Sequence, residues 1–517
     1  MRLRRRRRCR GHRRRPRGDR GFTTVVVMGV MLVGTLLASA TLATVDGDND
    51  VSRWDRNYKA AYAAAEGGLH FYTFHLIQDP DYWLKCTGVP PIAAGDPSPV
   101  NQAWNGQGAD PRIWRSLGNS TAQYTVELLP APGQAACVPG VLSSMLIPGT
   151  GAFRVRVTGR VGGVKRSVLA TMRRGKFLDF LYFTDLETAD PLTYSGSRNQ
   201  AWATTNCLKY WPARHANCTK IQFAPNDVVA GPLHTNDQLL TCDSPRFGRT
   251  PADSIEVSGP APGYQPACGA GGPDVQGTWS NPAAPLTVPP TNATLQTVAQ
   301  PGYLFTGRTT IQLSGTSMTV TSPVGSAPQV MALPANGVIY AKNGSCGITG
   351  YTVAQNYTNP SGCADIFVSG SSSVPLTIAA ENDIIVTGDL RSTDNAQLGL
   401  IANQFVRVYH PVTDRSGSTC TNAAGTPTDV HIDAAILALN HSFIVDNYGC
   451  GASLGTLSVF GAIGQRFRGP VGTTANTGYI KNYNYDDRFR YTSPPFFLDP
   501  IASAWRVIRH TEQVPSR

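Results

Sequence analysis

Two short stretches place an imidazole close to a carboxylate: His234-Thr235-Asn236-Asp237 and His431-Ile432-Asp433. Either pair could supply a general base and a partner acid. In a strand, residues two apart share a face, so His431 and Asp433 would point the same way. Asp383, Asp389, Asp433 and Asp446 are the carboxylates open to a polysaccharide-cleaving chemistry. Strand-edge polar ladders are the commoner use of such residues, and nothing else in the chain supports catalysis. There is no HExxH or GxxxxGK[ST], and Gly449-Cys450-Gly451 misses the dinucleotide pattern at its last glycine. The eight histidines beyond the first 21 residues are scattered, without a second ligand at metal spacing. The expectation is therefore no enzyme, no catalytic residue, no metal and no cofactor.

Cysteine chemistry is better supported. Of eleven cysteines only Cys9 precedes residue 22, and the other ten show neither CxxC nor CxxC…HxxxH spacing. An even set in loop-like sequence reads as disulfides. Sequence does not fix the connectivity. Nearest-neighbour pairing, Cys86 with Cys137, Cys207 with Cys218, Cys242 with Cys268, Cys346 with Cys363 and Cys420 with Cys450, suits loops projecting from a solenoid.

The N-terminus decides the compartment in which these residues work. The formal charge is +11, yet residues 1–20 hold twelve Arg and one Asp, which is also +11. The remaining chain is formally neutral, so a nucleic-acid partner loses its main support. Residues 22–45 carry no charge, and as a helix they span roughly 36 Å, enough for a hydrocarbon core of about 30 Å. Arginines before this stretch and Asp46, Asp48 and Asp50 after it orient it with the leader in the cytoplasm. A single pass through the cytoplasmic membrane, with the C-terminus outside, is the expectation. Asp46 to Asp50 imitate the start of a calcium loop but have Val51 and Asn57 where Gly and Glu are needed, so they read as a solvated helix interruption.

The order of features, a basic leader, Arg20-Gly21-Phe22-Thr23-Thr24, then a retained apolar helix running on to Gln78, resembles the type IV prepilin leader. That resemblance implies cleavage by a prepilin peptidase after Gly21 and N-methylation of Phe22. Tyr58-Lys-Ala-Ala-Tyr-Ala-Ala-Ala-Glu-Gly-Gly-Leu69 looks like the "AAEAGL" region of PilX-type minor pilins. Ala61, Ala65 and Leu69, at i, i+4 spacing, can pack against other helices or on the helix's own domain. Most pilins have Glu at the fifth mature position, where this chain has Val26. The departure implies a subunit that starts or caps a filament, since a shaft subunit would lose a charge-assisted contact in a low-dielectric bundle.

Behind the helix, residues 123–129 and 152–172 read as strands, with Gly162-Gly163 as a hairpin turn, giving residues 46–175 a small α+β pilin-like head. Abundant Gly (52) and Pro (38) with 15% charge make the body mostly β. Segments 378–386, 400–408, 437–445 and 459–467 share an apolar-small-polar-apolar layout, and residues 231–240 and 337–341 read as earlier copies. Such a period suggests the stacked coils of a right-handed parallel β-helix over residues 176–490, with a β-sandwich as the alternative. The sequence from Pro375 also looks like the β-rich regions found behind PilX-type N-termini. Asp499-Pro500 should start a closing helix with Ile501, Trp505 and Ile508 as its apolar stripe, within a cap over 491–517. Tyr479, Tyr483, Tyr485 and Tyr491 offer either an aromatic platform or solenoid packing.

The expected protein is thus a minor pilin or pilin-like surface structural protein of a type IV pilus or secretion system, a tip or priming subunit with an adhesive role. Its partners would be the prepilin peptidase, other pilin subunits, the pilus assembly machinery, the cytoplasmic membrane and a surface glycan or protein ligand. The alternative is a membrane-anchored extracellular β-helix adhesin or polysaccharide-active enzyme.

Overall fold

The computed structural model describes residues 22–86, 114–147, 151–225, 227–268, 271–347, 351, 355, 357–413, 420–473, 475–501 and 503–513. Residues 1–21, expected to be the leader and including Gly21, lie outside them. The chain is mostly β, with one long helix, α1 (Phe22–Gln78).

Helix α1 runs without a break through residues 46–50, so the interruption expected there does not occur. The helix stops where Pro80 removes the next amide donor. Its second half buries a stripe of Ala61, Ala65, Leu69, Tyr72 and Leu76, the 3.6-residue period of a helix with one face on a core. That face lies on an antiparallel sheet built from β1 (Arg115–Ser116), β2 (Gln123–Leu129), β3 (Ala152–Val161) and β4 (Val164–Arg174). A Cβ at Gly159 would sit 2.0 Å from the Ala61 carbonyl oxygen, so only glycine lets the helix backbone lie directly on β3. Gly162 and Gly163, at φ +53° and +84°, make the β3–β4 turn.

The fifth strand of this sheet comes from the other end of the chain. Residues Trp505–Gln513 pair antiparallel with β4, where a closing helix was expected. The physical reason is the free edge of β4, whose backbone groups need partners. Val507, Ile508 and Thr511 suit a strand. Trp505 is buried edge-on against Phe153 at 4.7 Å, and Phe153 stacks on Trp83 at 5.4 Å. Ile501 and Ile508 are exposed.

Between β4 and that strand the chain builds a curled 22-stranded sheet. One parallel ladder runs, in spatial order, through Leu304–Thr306, Val338–Lys342, Leu376–Ala380, Leu398–Ala402, Ala435–Ala438, Ser453–Arg468, β5 (Tyr182–Ala189), Leu233–Thr235, Ser254–Val257 and Thr278–Ser280. A second parallel ladder takes in Thr309–Gly315, Ile366–Ser372, Ile384–Ser392, Val406–Val408 and Phe443–Val445. Antiparallel pairing within this sheet is confined, among the described residues, to the excursion through Ser317–Thr321 and Gln329–Ala332. The repeat seen in the sequence reappears as register: Val386 pairs with Val408 and Val408 with Val445. In the first ladder Ile378 pairs with Leu400, but Leu400 pairs with Ile436, one residue short of the expected Leu437.

Spatial order is not chain order. The chain enters mid-stack at β5, extends to Thr278–Ser280 at one end, and returns along residues 281–303 to begin again at the other. The return is fixed turn by turn: the Leu286 amide donates to Asn236, the Asn292 side chain to the carbonyls of Ile401 and Ala380, and Asn336 to the Val298 carbonyl. The last leg then docks on the first, Ile463 beside Tyr182. Aliphatic side chains from successive turns form one continuous core.

Candidate functional site

Helix α1 leaves its first part uncovered. From Val25 to Leu37 the large apolar side chains are 48–72% exposed, Val26 being the least exposed of them at 48%. Ala61, Ala65 and Leu69 are instead inside the head against its own sheet. Among the described residues no helix is long and apolar enough to cross a membrane.

The ten cysteines pair as nearest neighbours: Cys86–Cys137, Cys207–Cys218, Cys242–Cys268, Cys346–Cys363 and Cys420–Cys450. Cys242, Asp243 and Cys268 come close enough to suggest a metal site, but both sulfurs are in one disulfide and lack the thiolate a metal needs.

The acid/base candidates are absorbed into hydrogen-bond networks. His234 is fully buried, its ring nitrogens 3.1 Å from Glu256 and 3.0 Å from Asn236. Glu256 is gripped by both terminal nitrogens of Arg506, which joins this network to the head's last strand. Asp237 accepts the amides of Glu187, Trp211 and Gln238 and pairs with Arg214. Every polar atom of the pair is thereby used in bracing successive turns. His431 and Asp433 make no hydrogen bond to each other. The His431 amide donates to Asp389, Asp433 accepts the Ser392 amide at 3.4 Å, and Arg391 lies 3.5 Å from Asp389 and 3.8 Å from Asp433.

Asp383 and Asp446 do meet, across the buried Arg407. Its Nε lies 3.2 Å from Asp383 and its Nη1 3.3 Å from Asp446. Tyr351 and Tyr357 donate to the two oxygens of Asp446, and the Phe405 amide donates to Asp383. Burial outweighs the attraction of Arg407 at both acids: Asp383 is pushed up to about 6, and Asp446 also rises. Two carboxylates share one cation, so the full ionisation of both is costly.

Of the four tyrosines, Tyr479, Tyr483 and Tyr485 point inward and are buried, while Tyr491 is 79% exposed, so no aromatic platform forms. Alternation along Gly478–Tyr485 explains it: residues 479, 483 and 485 share the inner face. Their hydroxyls find partners inside, Tyr479 on the Pro427 carbonyl and Tyr485 on that of Leu178.

A cleft of about 770 Å³ lies elsewhere, between the disulfide-closed excursion after β5 and residues 479–481. Arg198, Lys220, Lys481, Asp227 and Tyr448 line it. None was singled out by spacing. The signal was the close pair Cys207 and Cys218, which marks an excursion.

No known protein family matches the chain, and no curated protein matches it. Among solved structures, the crystal structure of the competence-associated pilin ComZ from Thermus thermophilus aligns over 89% of this chain and 98% of its own, at 13% identity and a TM-score of 0.25. A TM-score this low carries no argument about fold or function.

Proposed function

We propose that this chain is a minor pilin or pilin-like surface structural protein of a type IV pilus or secretion system, held by α1 in the cytoplasmic membrane before assembly and used as a tip or priming subunit. The observation that carries the reading is the apolar half of α1. It is continuous with the helix that packs in the head, yet its valines, methionines and leucines face outward on all sides. Such a surface is stable only against lipid or other apolar helices. Residues 22–45 serve as the span, a prepilin peptidase removes residues 1–21, and other pilin subunits and the assembly machinery take over the apolar face. In this reading the two parallel ladders are faces of a right-handed parallel β-helix displayed outside.

Val26 leaves the helix without the acid that would meet a neighbour's terminal amine. The body, inserted between β4 and the last strand, would crowd a closely packed shaft. A tip position relieves both. The reading assigns no catalytic role, since the buried histidines and carboxylates brace the turns.

Mass spectrometry of the mature N-terminus tests the assignment. An N-methylated Phe22, with Gly21→Ala blocking processing, is expected; a start beyond Ala38 would indicate an ordinary secretory signal and refute it. Immunogold labelling of sheared filaments is expected at ends and at low copy number, and uniform shaft labelling would exclude the tip role.

A further inference from the structure

The cleft of about 770 Å³ is within the size range of ligand pockets, roughly 300 to 1,000 Å³. One wall is the excursion between β5 and Val228–Ala230, which carries the helix Gln200–Cys207 and is closed by Cys207–Cys218. The disulfide brings the segment before that helix, with Arg198, beside the segment after Cys218, with Lys220. Arg198 donates to the Asn217 carbonyl at 3.0 Å, and the Thr219 amide donates to the Tyr194 hydroxyl, so both rims of the excursion are tied together. The opposite wall is Gly478–Tyr485 with residues 469–473.

Charge in the cleft is unbalanced. Lys481 is neutralised by Asp227 at 2.7 Å. Arg198 and Lys220 are exposed and, among the described residues, form no ion pair within 4 Å, while the cleft's one carboxylate, Asp227, is held by Lys481. Between these cations the lining is hydroxyl-bearing, with Thr193 and Ser197, and Tyr448 supplies a half-buried aromatic surface. Fixed cations, rotatable hydroxyls and a ring match a ligand that carries carboxylates, many hydroxyls and apolar C–H faces together.

We infer that this cleft binds an acidic oligosaccharide, a chain of uronic-acid-type sugars, with Arg198 and Lys220 taking its carboxylates and Tyr448 stacking on a sugar face. Arg198 offers a planar bidentate fork and Lys220 a point charge, so the first sets geometry and the second adds attraction. All of the cleft's lining residues belong to the body and none to α1. The inference deepens the adhesive part of the proposed function. Binding in solution does not involve filament assembly, so a negative result here leaves the assembly reading standing, and a wrong N-terminus leaves this one standing.

The test is calorimetric titration of the full-length chain in detergent with tetragalacturonate, alongside a neutral tetrasaccharide and a ten-nucleotide oligothymidylate. Tetragalacturonate should bind and weaken with added salt. The double variant Arg198→Gln/Lys220→Gln should weaken it about tenfold or more, as expected for lost charge-assisted contacts, with Tyr448→Ala intermediate and Lys342→Gln, in a distant ladder strand, without effect. The exposed positions leave the fold intact, checked by an unchanged melting temperature. Absence of tetragalacturonate binding, binding insensitive to the double variant, equal binding of the neutral tetrasaccharide, or oligothymidylate binding in its place would each overturn the inference.

Discussion

Head and body solve the same problem in opposite ways. In the head, β2, β3 and β4 follow one another in the chain and pair antiparallel, β3 with β4 across the tight Gly162-Gly163 turn, and α1 lies on them through small residues and apolar contacts. In the body, neighbours in a ladder are separated by whole turns of chain, and charge is buried between the turns: Arg407 with Asp383 and Asp446, Arg214 with Asp237, Arg468 with Glu187. An antiparallel hairpin sets its register locally, whereas a parallel ladder needs long connections whose turning backbone must be satisfied. The body uses buried side-chain polar groups for that purpose, and removing one partner there leaves an uncompensated group.

The largest test of the contrast is to separate the two. Gly175 donates its amide to the Ala504 carbonyl, and Arg174 pairs with Trp505 across the sheet. A chain in which a short Gly-Ser turn joins residue 174 directly to residue 505 should keep the folded head, seen by near-ultraviolet circular dichroism and slow amide exchange in β3. Ending the chain at residue 174 should instead lose it, because the edge of β4 and the pocket filled by Trp505 are both opened. If the joined chain is unfolded, the head is not autonomous and the comparison fails. Next, Arg407→Met should destabilise the body by about 3 to 5 kcal/mol, the cost of leaving buried carboxylates unpaired, read by urea unfolding. A smaller loss, about 2 to 4 kcal/mol, is expected for Cys86→Ser/Cys137→Ser, which reopens a 51-residue separation in the head.

Overpacking gives a still smaller effect. Gly159→Ala should cost about 1 to 3 kcal/mol, since the obstacle is the α1 backbone at Ala61 rather than a movable side chain. A value near zero would mean that the helix is not seated on β3. The least effect is the pH dependence at Asp383. Its folded pKa, about 6, is above the ordinary 3.8, so the folded state binds the extra proton between these values. Asp383 therefore favours the fold below about pH 4, and this contribution is lost as pH rises towards 6. The stability of the natural protein relative to Asp383→Asn should fall over that interval and then stay level; a rise would show that Arg407 dominates over burial.

Much of this was legible. The helix to Gln78, the β2–β4 hairpin region with its Gly162-Gly163 turn, and the alignment of Val386, Val408 and Val445 all follow from local periodicity and turn chemistry. The closing helix at the C-terminus was misread because Ile501, Trp505 and Ile508 have helical spacing, and the free edge of β4 overrode it. The cleft was not legible, since Arg198, Lys220 and Lys481 converge only through a disulfide and the return of a distant strand.

By itself, then, the sequence determined the long helix, the β2–β4 strands and the apolar faces of the repeats, because these depend on backbone propensity and on periods of 3.6 and 2. It also set the neutral formal charge of everything beyond residue 20. Only the tertiary structure decided the order of the turns. Repeats with similar apolar faces can stack in any sequence that buries them, and nothing within a repeat names its neighbour. The choice falls to long-range contacts: residues 281–303 carrying the chain back along the stack, Asn292 bound to two different turns, Ile463 settling beside Tyr182, and Trp505 returning to the head.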